Sequence, residues 1–243
     1  MSSARPAAKP SMKLAIMQPY FLPYIGYFQL MSAADKFVVY DDVNFIQRGW
    51  INRNRILLNG REHLFVVPLR GASQNRRINE IALVAETSWR EKLLRTVKHA
   101  YRQAPRFDEV FPLISDIVNF DEQNLARYVL NSLRTITSYL AIRSELIPTS
   151  AIYGNQSLRG QDRILDICRR EQASLYLNLS GGRELYDPEQ FRAHDITLRF
   201  LKPAEIKYDQ FRSSFRPHLS IVDVLMFNPR EKVKSVFLKE ALT

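Results

Sequence analysis

Cysteine is almost absent from this chain. The single Cys168 rules out an internal disulfide and fits a reducing compartment. It lies in the amphipathic run DRILDICRREQ, where a thiol is expected to pack in the core rather than act as a nucleophile. Glycine is also scarce, eight against 12 prolines, and no apolar run reaches the 18 residues of a membrane-spanning helix. The residues before Met12 lack the apolar stretch of a secretory signal. They read as a flexible leader, and a cytoplasmic protein is expected. The histidines, His63, His99, His194 and His218, are dispersed without metal-ligand spacing, and no G-x-S-x-G elbow occurs. His218, with the hydroxyl and carboxyl groups of Ser220 and Asp223 close in sequence, is the candidate catalytic residue among them.

What is present is a chain of 243 residues with 46% hydrophobic content, enough for a sizeable core and expected to form a single α/β domain over residues 12–243. Lys and Arg number 35 against 25 Asp and Glu, a net charge of +10. Such a surplus attracts phosphates, nucleotide-linked substrates, nucleic acid or an anionic membrane surface. The basic residues are scattered and no RNA- or DNA-binding signature is present, which argues against nucleic acid.

Periodicity places the elements. KLAIM is a short apolar run bounded by prolines and reads as a buried strand; YIGYFQLMSAADK has helical spacing; FVVYDD reads as a second strand. ILLNGREHLFVVPL predicts a hairpin turning at Asn59-Gly60, a dipeptide that accepts positive φ at both turn positions. A helical insertion is expected over about residues 88–140, with two helices, SWREKLLRTVKHAYRQ and DEQNLARYVLNSLRTITSYL, separated by the Pro105 to Pro112 region. Strand and helix then alternate through RSELIPTSAI, DRILDICRREQ, SLYLNLSG and ITLRFLK, and SIVDVLMFN and REKVKSVFLKEAL close the chain as helices. Ser220 is expected to cap the first of these, with Asp223 completing a capping box. The alternation predicts an α/β fold with a mostly parallel sheet.

In such a fold ligands sit at the carboxyl ends of the strands, so the turn after the first strand is the natural phosphate site. It runs Gln18-Pro19-Tyr20-Phe21-Leu22-Pro23-Tyr24-Ile25-Gly26-Tyr27. Gln18, Pro19, Tyr24, Gly26 and Tyr27 are its candidate binding residues. Tyr24-Ile25-Gly26-Tyr27 has the spacing of the H-x-G-H signature of nucleotidylyltransferases and resembles the Rossmann-like arrangement of those enzymes. Both histidines are tyrosines here, and a phenol cannot supply a cationic imidazolium. Asp41 and Asp42, at the end of the second strand, are expected to present one carboxylate to the same crevice, to hold a hydrated Mg²⁺, bind a ribose or sugar hydroxyl, or serve as general base for an amine or alcohol. Arg48, Trp50, Asn52 and Arg53 combine guanidinium forks, a carboxamide and an indole, a set suited to a phosphate beside a flat ring or sugar, with Arg53 expected to point inward. Asn178, Gly181, Gly182 and Tyr186 follow a later strand, where paired glycines allow close backbone approach to a ligand.

QPYFLPYIGYFQL, ADKFVVYDDVNF, RGWINRNRI, LFVVPL, DRILDIC, YLNLSGGRELYD and FRPHLSIVDVLMFN, in that order, resemble the WbqC family from Met12 to about Asn228. The resemblance implies a cytosolic role in making or decorating an activated sugar for O-antigen and related surface polysaccharides. With the residues above, it leads to an expected transferase or ligase that places an acyl or aminoacyl group on a nucleotide-linked amino sugar. A nucleotidylyltransferase-like enzyme using an NTP and a non-catalytic nucleotide-sugar-binding protein are the alternatives. The residues identify no cofactor and no metal site.

Overall fold

The computed structural model describes residues 12–211 and 214–238. The expected leader, residues 1–11, and the last five residues of REKVKSVFLKEALT lie outside them.

Five parallel strands form the central sheet. In chain order the elements begin with β1 (Lys13–Met17), α1 (Ile25–Ala33) and β2 (Lys36–Val39), then the hairpin β3 (Arg53–Leu58) and β4 (Arg61–Val66), and a short antiparallel pair β5 (Leu69–Arg70) and β6 (Ala82–Leu83). Helices α2 (Ser88–Tyr101), α3 (Phe107–Asn119) and α4 (Leu125–Tyr139) follow. The chain returns to the sheet through β7 (Glu145–Ile147), α5 (Gly160–Arg170), β8 (Leu175–Leu179), α6 (Pro188–Arg192) and β9 (Thr197–Leu201), and ends in α7 (Ile221–Phe227) and the short α8 (Arg230–Lys232). The sheet order is β7-β2-β1-β8-β9, all parallel. Numbered by appearance in the chain, these strands lie 3-2-1-4-5, the Rossmann-like order.

Period-two alternation divides each inner strand between two apolar layers. Ala15, Phe37 and Leu177 pack with α1, the helices α2 to α4 and α7, whereas Leu14, Ile16, Val38 and Tyr176 pack with α5 and Phe191. The helical insertion therefore shares its core with the first helix and the sheet. The hairpin turns as its dipeptide predicts, with φ of +51° at Asn59 and +73° at Gly60.

Two expectations are corrected. The Pro105 to Pro112 region is no separator, because α3 starts at Phe107 and carries Pro112 inside it. A proline there costs a backbone hydrogen bond. Burial of Val110, Ile114, Ile117 and Val118 on one face offsets that cost. The capping box at α7 is only half formed. The Ser220 hydroxyl accepts from the Val222 N–H, but the Ser220 N–H donates to the Arg55 carbonyl and the Asp223 carboxylate faces elsewhere.

Candidate functional site

The strand order reverses between β1 and β8, so the loops after those strands diverge and leave a crevice at their carboxyl ends. Its floor is the β1–α1 loop, held from two sides. Leu22 takes the left-handed region at φ +44°, a conformation a branched side chain rarely adopts. Its carbonyl accepts from Asn54 Nδ2 at 2.8 Å and from Ser220 Oγ at 2.7 Å, both donors being buried. The Phe21 N–H donates to the Ile51 carbonyl and the Ile221 N–H to the Pro23 carbonyl. Tyr27 is fully buried and its phenol donates to the Gln18 carbonyl at 2.9 Å. Hairpin and α7 together fix the loop's path.

Two cavities open on this floor. The first, about 390 Å³, is bordered by Tyr20, Pro23 and Tyr24 from the loop, Trp50 just before the hairpin, Asn54 and Arg55 within it, Ser180 after β8, and Lys202, Pro203, Glu205 and His218. The second, about 470 Å³, lies between Tyr24, Ile25 and Val224 and the segment from Pro203 to Leu219. Tyr24, Pro203, Glu205 and His218 border both. His218 holds φ +59° and sets its ring edge-on to Tyr24, 6.0 Å between centroids.

Trp50 is 37% exposed, with the Arg55 guanidinium 4.9 Å and the Arg53 guanidinium 5.7 Å from its ring centre. Alternate residues of a strand share a face. Of the two arginines, Arg55 borders the cavity, while Arg53 Nε donates to the Gly49 carbonyl at 2.8 Å, which corrects the expected inward placement of Arg53. Arg55 pairs with Glu62 at 2.5 Å, and its Nε is buried without a partner among the described residues. Arg48 is exposed outside both cavities, and Asn52 donates to the Val67 carbonyl.

The helix start also differs from expectation. A Cβ on Gly26 would stand 2.4 Å from Cε2 of Tyr24, so Gly26 makes room for that ring over the first turn of α1. The cations that border the first cavity are the side chains of Arg55 and Lys202. Burial, with a smaller contribution from Tyr20, pushes the Tyr24 phenol up to about 12. Pro19 is buried in the same loop.

Asp41 and Asp42 border neither cavity. They enter a buried network toward α5 and the turn after β7. Asp41 accepts from Thr149 Oγ1 at 2.7 Å and the Ser150 N–H at 3.1 Å. Asp42 accepts from the Ser150 hydroxyl and from Gln156 Nε2, and forms an ion pair with Arg163 at 2.5 Å. Their expected place in the crevice is thus corrected. Burial raises the Asp41 pKa against the pull of its Thr149 and Ser150 bonds. At Asp42 burial also opposes the charge, but the Ser150 and Arg163 bonds outweigh it and hold the pKa below the usual carboxylate value.

Asn178 and Tyr186 likewise close on each other. Asn178 Nδ2 donates to the Tyr176 and Tyr186 hydroxyls at 3.0 and 3.2 Å, and Gly182 packs against the Asn178 amide. Gly181 and Gly182 lie in a 3-10 turn, and of that turn Ser180 reaches the crevice. The expected grouping of His218, Ser220 and Asp223 does not form. Ser220 is committed to Leu22, and the buried Asp223 carboxylate accepts from Tyr101, Tyr208 and Gln210 at 2.7, 2.7 and 2.6 Å. Sequence reading missed Tyr20, Arg55, Lys202 and Glu205. Arg55 was accessible through its two-residue spacing from Arg53; the others carried no motif.

A family model described as the WbqC-like protein family matches residues 18–235. The chain belongs to the WbqC-like family. Every residue bordering the two cavities falls within the matched WbqC-like region. The chain is also similar to the uncharacterized protein Rv1507c of Mycobacterium tuberculosis, 29% identical over 221 residues, covering 89% of this chain and 93% of that protein. No solved structure matches the chain. Among the described residues no helix is long and apolar enough to cross a membrane.

Proposed function

We propose that this WbqC-like protein binds a nucleotide-linked amino sugar in the Trp50 cavity and places an acyl or aminoacyl group on the sugar amine, in surface-polysaccharide biosynthesis. The observation that carries this reading is the junction of the cavities. Glu205 and His218, two groups able to accept a proton, border both the cavity that holds Trp50, Arg55 and Lys202 and the one lined by Ile25, Ile206 and Val224. Trp50 and Tyr20 offer flat faces to a base or sugar ring, and Arg55 and Lys202 offer charge to a diphosphate. In the transfer, the amine nitrogen attacks the carbonyl carbon of an activated ester or thioester. A C–N bond forms, the C–O or C–S bond breaks, and the leaving group departs with the electron pair. The amine proton passes to Glu205 or His218. The Tyr24 phenol, its pKa raised to about 12, stays protonated and supplies a donor to the developing oxyanion.

Asp41 and Asp42 take no part in this reading, since their bonding is internal. A nucleotidylyltransferase draws no support from the helix start, where Tyr24 covers Gly26.

Calorimetric titration with UDP-linked amino sugars tests the binding step. A charge-assisted contact is worth about 1.5–3 kcal/mol, so Arg55→Ala should weaken binding by about ten- to a hundredfold, with a similar loss for Lys202→Ala. Absence of binding to the native chain defeats the proposal. Binding without acyl transfer from thioester or aminoacyl-ester donors selects a non-catalytic carrier, and pyrophosphate release from an NTP selects the nucleotidylyltransferase.

A further inference from the structure

We infer that the second cavity is an acyl pocket, shaped for an aliphatic chain of intermediate length and not for a nucleobase or a one-carbon group. This rests on the acyl-transfer reading above and specifies its donor.

Ile25, Ala204, Ile206, Phe215, Leu219 and Val224 form an aliphatic and aromatic part of the cavity's wall, and none of these side chains offers a hydrogen bond. A nucleobase would leave its polar edge unpaired against them. Tyr208 also borders the space, but its phenol donates to Asp223 Oδ2 at 2.7 Å, which commits its polar end to the protein. Lys207 is exposed and can keep its ammonium in water. The remaining polar groups, Tyr24, Glu205 and His218, border both cavities. An acyl group entering from that junction would have its carbonyl beside the proton acceptors and its chain against the aliphatic wall. The volume, about 470 Å³, is far larger than an acetyl group needs and falls within the usual range of small-molecule sites.

The probes are two uncharged thioesters, S-octanoyl- and S-acetyl-N-acetylcysteamine. Each buried methylene contributes up to about fourfold in affinity, so the octanoyl probe should bind the native chain at least about tenfold more tightly. Ala204 borders only the second cavity, and Ala204→Phe should erase that preference, Ala204→Ser should keep it, and UDP-amino-sugar affinity should stay within about twofold in both. Thermal unfolding checks that Ala204→Phe is folded. If it is not, Phe215→Ala serves instead, and should shift the preference toward a dodecanoyl probe. Equal affinity for the octanoyl and acetyl probes overturns the inference. So does an Ala204→Phe variant that loses the nucleotide sugar and keeps the chain-length preference, which would assign the cavity to the nucleotide. If the octanoyl probe behaves as expected while the native chain binds no nucleotide sugar, the acyl pocket stands and the nucleotide-sugar reading falls.

Discussion

Replacing Asp42 by Asn separates a structural carboxylate from a reacting one. Asp42 and Arg163 are 2% and 3% exposed, and their ion pair is 2.5 Å long. Removing one charge of a buried pair leaves the other uncompensated, a cost of about 3–5 kcal/mol. Arg163 keeps Asn155 Oδ1 at 2.9 Å and the Tyr40 ring at 5.0 Å, so the low end of that range applies. Against a total stability of about 5–15 kcal/mol this is a large fraction. For a chain of this size it lowers Tm by roughly 6–12 °C. Urea unfolding of the native chain, Asp42→Leu, Arg163→Met and the double variant Asp42→Leu with Arg163→Met gives the coupling energy, with Asp42→Asn measured beside them. The double variant should recover much of the loss, because neither charge remains buried alone. The pH dependence has a definite sign. The folded pKa of Asp42 is lowered, so its contribution is present above the ordinary value near ~3.9 and is lost as pH falls through the folded value. The native chain should therefore lose stability in acid more steeply than Asp42→Asn. An Asn variant within about 1 kcal/mol of the native chain but inactive in transfer would refute this account and return Asp42 to the chemistry.

Gly26→Ala gains up to about 1 kcal/mol of helix propensity but forces the Tyr24 ring away from a Cβ standing 2.4 Å from it. Stability measured by urea unfolding should change little, while nucleotide-sugar affinity falls severalfold; unchanged affinity would remove Tyr24 from the site. His218→Asn keeps a residue type that tolerates φ near +59°, so Tm should stay within about 2 °C while transfer drops on the order of a hundredfold, and full activity would leave Glu205 as the acceptor. Asp223 has its pKa raised by burial, against the opposing pull of Tyr208, Tyr101 and Gln210. A raised carboxyl pKa contributes stability that is present below the ordinary value and lost as pH rises through the folded one. Asp223→Asn should thus gain on the native chain as pH rises through that window, and unfolding curves with a constant difference would contradict it.

The sheet was legible because its strands are short apolar runs with period two, separated by helices of period 3.6, and the right-handed crossover limits how such units assemble. Asn59-Gly60 specified the hairpin locally. Helix α3 was hidden because Pro112 breaks the local rule while tertiary burial restores the helix. Asp41 and Asp42 were misplaced for a different reason. Strand β2 ends at Val39, and the partners that turn both carboxylates inward lie more than 100 residues later, at Thr149, Ser150 and Arg163. Such a partnership leaves no trace in local spacing. Lys202 and Glu205 were equally silent, because a lysine and a glutamate in a segment without regular structure acquire meaning only once β9 is known to end beside the crevice.

The floor and the outer wall of the crevice are built on different principles. Leu22 holds a backbone conformation that costs on the order of 1–3 kcal/mol, and it persists because two buried side chains from distant segments donate to one carbonyl. Strain fixed in this way positions Tyr24 before a ligand arrives, so little ordering entropy remains to oppose binding on that side. Among the described residues, the facing wall, Pro203 to Leu219, has no helix or strand of its own. It is tied down where Asp223 gathers Tyr208 and Gln210, and Gln210 in turn donates to the Arg216 carbonyl and accepts from its N–H. A single buried carboxylate thus anchors, through Tyr208, Gln210 and Arg216, a segment whose described residues supply Glu205, His218 and much of the second cavity's lining. Changes in that segment can alter which chain the pocket accepts without disturbing the strained loop, because Leu22 takes its hydrogen bonds from Asn54 and Ser220, outside the segment. In the proposed acyl transfer, chain selectivity and the proton acceptors Glu205 and His218 would come from the Pro203 to Leu219 wall, and the donor Tyr24 from the floor.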